Sequence, residues 1–155
     1  EKAGAEDIFI GMDQYPDEVT VNLVMAASEA LGASPADVMR GFGEYWVDFV
    51  GETYGDLFNM TGDTFVMFVQ NLNNLHTRVH ALMPELQPPS FIVTDQKDGS
   101  FVLEYHSIRD GLHPMITGLM KGLGARFNTE VTITRKAGAE DGLDHDRFLV
   151  EYASR

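Results

Sequence analysis

The composition of this sequence shifts across Pro84 to Pro89, and that shift orders its layers. Before these prolines apolar residues recur every three and four positions. After them short runs alternate every two. A chain patterned this way is predicted to fold as helices first and an antiparallel sheet second, an α+β domain spanning residues 1–155.

The helical half is punctuated clearly. Asp17 to Leu31 carries Val21, Val24, Met25 and Leu31 at helical spacing, with Pro16 before it and Gly32 as a stop. Ser34-Pro35-Ala36-Asp37 reads as an N-cap, a proline at the first helical position and a first-turn acid. It launches a helix through Phe42, Tyr45, Trp46 and Phe49, in which Gly41 and Gly43 permit close approach to a neighbour. A short piece follows around Leu57 to Met60. Gly62-Asp63 then opens a long helix with an apolar face of Phe65, Phe68, Val69, Leu72, Leu75, Val79 and Leu82, ended by Pro84.

In the second half, Phe91 to Thr94 and Phe101 to Tyr105 flank Lys97-Asp98-Gly99-Ser100, the pattern of a β-hairpin. Gly111 to Phe127 reads as a helix whose Gly118 and Gly122 let it pack closely. Glu130 to Thr134 and Arg147 to Tyr152 alternate across an acidic, glycine-rich turn. The expectation is a four-stranded antiparallel sheet with one helix packed on it.

Composition excludes several classes of function. With 11 Lys and Arg against 24 Asp and Glu, the net charge of −13 repels a phosphate backbone, so no nucleic-acid partner is expected. Cysteine is absent, which removes disulfide frameworks, iron–sulfur clusters and thiolate chemistry. Any metal must therefore be held by histidine or oxygen. No apolar run approaches the roughly 18 residues that read as a membrane span, and Glu1-Lys2-Ala3 does not open a signal peptide. A cytoplasmic protein without a membrane partner is expected. No nucleophile elbow or P-loop is present, and Gly122 to Phe127 is an incomplete dinucleotide fingerprint, so no enzyme is predicted.

Two groupings can carry chemistry. His76 lies four residues after Leu72 and three before Val79, on the apolar face of the long helix. It is either a metal ligand or a core histidine satisfied by a carbonyl. His80, one turn on, makes a two-histidine pair without a third ligand, and Asp144-His145-Asp146 is another possible metal grouping that, beside a turn, reads as solvated. The second grouping is Tyr105, Ser107 and Arg109. A strand would send them to one face as a row of donors suited to an anion, the alternative being a polar strand end before the turn at Arg109-Asp110-Gly111.

Asn71-Leu72-Asn73-Asn74-Leu75-His76, then Pro88-Pro89-Ser90-Phe91, then Tyr105-x-Ser107-x-Arg109 before Gly111-Leu112, together resemble the haem nitric oxide/oxygen binding (H-NOX) domain. The match extends upstream through Tyr15-Pro16-Asp17, Phe42 to Trp46 and Tyr54-Gly55, and downstream through Gly118 to Phe127 and the last strand pair. The resemblance implies haem b (iron protoporphyrin IX) between the helical part and the sheet part. His76 would be its proximal iron ligand and Tyr105, Ser107 and Arg109 would bind its propionates. Pro89 would press on the porphyrin beside Leu75. Leu112, Met115 and Trp46 would line an apolar distal side, with Met115 where oxygen-holding members carry a tyrosine. The implied function is a sensor of nitric oxide and carbon monoxide that discriminates against oxygen. Loosening of the iron–histidine bond would signal to a histidine kinase or a cyclic-dinucleotide enzyme. The chain departs from the family in one respect: it is expected to lack the opening helices that begin near a Met-x-Gly-x-Val-Asn segment and cover the distal face. The competing classes are a haem peroxidase, lacking an evident distal acid–base pair, and a haem-free interaction module with an acidic surface.

Overall fold

A computed structural model of the chain describes residues 16–154. Tyr15 and the Glu1-Lys2-Ala3 opening lie outside the described residues. In chain order the elements are α1 (Asp17–Leu31), α2 (Pro35–Thr53), α3 (Gly55–Asn59), α4 (Phe65–Gln70), α5 (Leu72–Leu82), β1 (Ser90–Lys97), β2 (Ser100–His106), α6 (His113–Arg126), β3 (Thr129–Ala137) and β4 (Asp146–Ser154). The strands form one antiparallel sheet, as the alternating runs predict, in the order β1-β2-β4-β3. No helix among the described residues is long and apolar enough to cross a membrane.

The core lies between the sheet and the helices. Phe101, Leu103, Phe148 and Val150 rise from the sheet to meet Phe58, Phe65, Phe68 and Val69 from the helical half and Ile116, Met120 and Leu123 from α6. Burying each such side chain contributes roughly 1.5–3 kcal/mol, so this cluster supplies most of the drive to fold.

The local signals set the element ends. Ser34 Oγ accepts the Asp37 N–H at 3.1 Å and starts α2. Gly32, at φ 63°, closes α1 in the left-handed conformation. Lys97 pairs with Ser100 across Asp98-Gly99, where Gly99 takes φ 75°.

The structure departs from local pattern in three places. First, the aromatic side of α2, for which pattern gave no facing direction, does not face the core. Its buried side is Gly43, Val47 and Gly51, while Phe42, Tyr45, Trp46 and Phe49 are exposed. The cause is the crossing with α6: a methyl on Gly118 would overlap the Arg40 carbonyl oxygen and lie 3.0 Å from the Glu44 backbone nitrogen. Helix axes that close leave no room for rings between them. Gly43 and Gly122 meet α6 and α2 backbone in the same way, whereas Gly41 meets nothing. Second, α1 buries none of its residues, and Val21, Met25 and Leu31 of its predicted apolar face are exposed.

Third, the long helix is two helices. Asn71 Nδ2 donates to the Thr61 carbonyl at 2.9 Å and its backbone settles at ψ 2°, which divides α4 from α5. Thr64, not Gly62-Asp63, supplies the cap by accepting the Met67 N–H at 3.3 Å. Leu82, at the far end of α5, is exposed.

Candidate functional site

Residues 72 to 76 and 89 to 91 form one hydrogen-bonded unit. Asn73 on α5 grips Phe91 of β1 by both backbone groups, Nδ2 donating to its carbonyl at 2.7 Å and Oδ1 accepting its N–H at 2.8 Å. That clamp fixes the register of helix against strand. One turn along α5, His76 places Nδ1 2.9 Å from the Pro89 carbonyl. A carbonyl only accepts, so Nδ1 carries the proton and Nε2 keeps its lone pair. Among the described residues Nε2 has no hydrogen-bond partner. The ring is half-buried, its centroid 5.8 Å from that of Phe91, and Leu75 beside it is buried.

Burial pushes the His76 imidazole below the usual histidine range, with the Pro89 hydrogen bond acting in the opposite direction. The sign of the stability effect follows. Below the ordinary value of 6.5 the unfolded chain takes up a proton that the folded chain refuses until lower pH. This contribution is therefore fully present above pH 6.5 and is lost as pH falls through the depressed folded value. We expect the urea midpoint of the haem-free chain to fall with acidification in that window. His76→Gln should flatten that part of the profile.

Phe91 leads on to the second group, its ring centroid 5.4 Å from that of Tyr105. Tyr105 is buried on the core face of β2, and burial raises its phenol above the usual tyrosine range while Ser107 and Arg109 act to lower it. It stays a protonated donor at neutral pH. The expected single strand through residues 105, 107 and 109 is not observed, because β2 ends at His106. Ser107 and Arg109 instead follow in a turn closed by Arg109 N–H donating to Ser107 Oγ at 3.0 Å. The Arg109 guanidinium donates to Asp17 Oδ1 at 2.5 Å and to Thr20 Oγ1 at 2.9 Å, which ties α1 to this corner. A carboxylate is thus already within its fork.

The predicted residues fall into two sets. His76, Leu75, Pro89, Tyr105, Ser107 and Arg109 are linked by the contacts just described. Trp46 lies on the exposed aromatic side of α2, whereas Leu112 and Met115 belong to the crossing of α2 with the start of α6. There Met115 presents its carbonyl to Gly43 and donates its N–H to the Leu112 carbonyl at 2.9 Å, while Trp46 lies against Phe42 and Phe49. His80 turns its Nδ1 to the Leu86 carbonyl at 2.8 Å, and among the described residues it joins no group of three metal-type ligands. Sequence reasoning missed Asn73, Asp17 and Thr20 as working residues. Asn73 stood inside a quoted motif, but nothing local signals that Asp17 pairs with a residue 92 positions away.

Comparison with known proteins places these features in context. A family model described as Haem-NO-binding matches residues 1–135. The soluble guanylate cyclase gcy-35 of Caenorhabditis elegans is 27% identical over 142 residues, covering 89% of this chain and 20% of that protein. Soluble guanylate cyclase 89Db of Drosophila melanogaster is 29% identical over 114 residues, 73% of this chain and 17% of that protein. The chain spans about a fifth of the length of these curated relatives. Among solved structures, an H-NOX protein from S. oneidensis in the Fe(II)NO state superposes with a TM-score of 0.87 at 21% identity, over 99% of this chain and 85% of that one. An unliganded Fe(II) H-NOX protein from K. algicida gives 0.81 at 22% identity, over 96% of this chain and 79% of that one. The fold is shared with both.

Proposed function

The chain belongs to the haem-NO-binding family, whose H-NOX domains bind haem and sense diatomic gases, and from that premise we propose that it is a single sensor domain. In this reading it binds nitric oxide and carbon monoxide at haem b and discriminates against oxygen. It works in the cytoplasm and carries no catalytic activity itself. The observation that carries the proposal is the His76 tautomer: Nδ1 is committed to Pro89 and Nε2 is left basic, neutral and unpartnered. Metal-binding histidines are commonly oriented by such a second hydrogen bond.

The residues present fit the group. Nε2 of His76 would ligate the iron. The protonated Tyr105 phenol, Ser107 and the Arg109 fork would hold the propionates, and Arg109's hold on the Asp17 carboxylate supports that role. Pro89 and Leu75 would border the porphyrin on the His76 side, between the helical part and the sheet part, and Trp46, Leu112 and Met115 would face the other side. When bound, haem iron would supply the coordination chemistry that takes up nitric oxide or carbon monoxide.

Met115 has no hydrogen-bond donor in its side chain, which favours ligands that need none. His76 is joined through Pro89, and α5 through Asn73, to the first residues of β1, so any displacement of the imidazole is passed to the α5–β1 junction. A histidine kinase or cyclic-dinucleotide enzyme reading that surface would be the effector.

Absorption spectra of the reduced, haem-loaded chain test the proposal. The Soret band should shift with nitric oxide and with carbon monoxide, and air should give no persistent oxygen-bound spectrum. A band unresponsive to nitric oxide would refute the sensor reading. Met115→Tyr should raise oxygen affinity roughly 10–150-fold, the worth of a hydrogen bond of about 1.5–3 kcal/mol to a charged acceptor.

A further inference from the structure

The sheet carries a second histidine cluster on its outer face, unrelated to His76. Along β2, Phe101, Leu103 and Tyr105 turn to the core, so Glu104 and His106 turn away from it. On the partner strand Glu104 pairs with Arg147 and Tyr105 with Asp146, which brings His145 opposite His106 just past the end of the ladder. Their rings stack with centroids 4.4 Å apart and planes 24° apart. His145, read from sequence as solvated, has only 15% of its side chain exposed.

Three polar atoms here are buried without a hydrogen-bond partner: Nε2 of His106, Nε2 of His145 and Nε of Arg147. Buried polar atoms are nearly always satisfied, so two adjacent orphaned imidazole nitrogens call for a missing partner. The His145 tautomer fits a cation. Nδ1 keeps its proton and donates it to Asp144 Oδ1 at 2.7 Å, leaving Nε2 with the lone pair. One ligating atom from each of Glu104, His106 and His145 lies within 4.8 Å of the others. Ligands about 2.0–2.1 Å from a tetrahedral ion stand roughly 3.4 Å apart, so closure needs side-chain adjustments of at most about 1.4 Å.

We propose that Glu104, His106 and His145 bind one divalent transition-metal ion, Zn²⁺ by the chemistry of the set, with the remaining position open to water. Two imidazoles and one carboxylate suit zinc and disfavour calcium or magnesium, which take oxygen ligands. The loop that delivers His145 is pinned for the task. Arg135 bonds both Glu140 and Asp146, and Gly138 N–H donates to Asp141 Oδ2 at 3.1 Å. The ion would tie the end of β2 to the start of β4, one residue before the chain leaves toward Ser107 and Arg109.

The test titrates the haem-loaded full chain, first stripped with a chelator, with Zn²⁺ against a chromogenic zinc indicator. One Zn²⁺ per chain is expected. His106→Ala and His145→Ala should each weaken binding at least ~100-fold, and Asp144→Ala, which removes only the supporting hydrogen bond, roughly 10–100-fold. His80→Ala should leave zinc binding unchanged, since that exposed histidine bonds only the Leu86 carbonyl and belongs to neither site. Circular dichroism checks that the variants fold, and zinc X-ray absorption on the parent chain decides the matter where one does not. Two imidazole nitrogens and a carboxylate oxygen support the site. Less than one Zn²⁺ per chain, affinity unchanged in His145→Ala, or a zinc shell without two imidazoles overturns it.

Discussion

Gly118→Ala is expected to destabilise the chain by about 2–3 kcal/mol, although alanine is the better helix former by about 1 kcal/mol. The added methyl meets backbone rather than a movable side chain: the Arg40 carbonyl group, with its carbon at 2.9 Å, and the Glu44 nitrogen at 3.0 Å. No rotamer change relieves that overlap, so α2 and α6 must part along the crossing that buries Val47, Ile116 and Met120. Thermal unfolding should show the midpoint falling by on the order of 4–12 °C. Gly41→Ala supplies the contrast. It sits on α2 with nothing within 4 Å, so only helix propensity acts and the midpoint should rise. If both variants behave alike, the close crossing is not what positions Met115 against Gly43.

The glycines also mark where sequence reading works and where it stops. Ser34, Gly32, Gly99 and the period-two strands act through their own backbone, so local pattern located them within a residue or two. Which side of α2 faces inward was not legible, because it depends on a crossing between residues about 75 positions apart. Pattern ranks rings above glycines for burial, while close helix approach reverses that order here. The break at Asn71 was hidden for a related reason. Its cause is a hydrogen bond to Thr61, and the apolar spacing runs on through it. At the candidate site, the motif resemblance pointed to His76, Tyr105, Ser107 and Arg109, and the structure adds what hydrogen bonds alone reveal: the Pro89 anchor, the Asn73 clamp and the Asp17 carboxylate on Arg109. The stacking of His106 on His145 joins two segments 39 residues apart, beyond any local signal.

His76→Gly is the variant with the largest expected functional effect. It removes the imidazole proposed to ligate the iron, while Asn73, Tyr105, Ser107 and Arg109 keep their own partners. Haem affinity should fall by more than the roughly 10–100-fold that losing a supporting partner costs at a metal site. The glycine leaves a gap the size of an imidazole, closed at one end by the Pro89 carbonyl that can accept a hydrogen bond from the free molecule. The decisive measurement is the absorption spectrum of reduced, haem-loaded His76→Gly with and without added imidazole. The account predicts that the parental Soret band is lost in the variant and returns as free imidazole fills the gap. A spectrum identical to the parent's before any imidazole is added would contradict it, since the iron would then be held by some other residue.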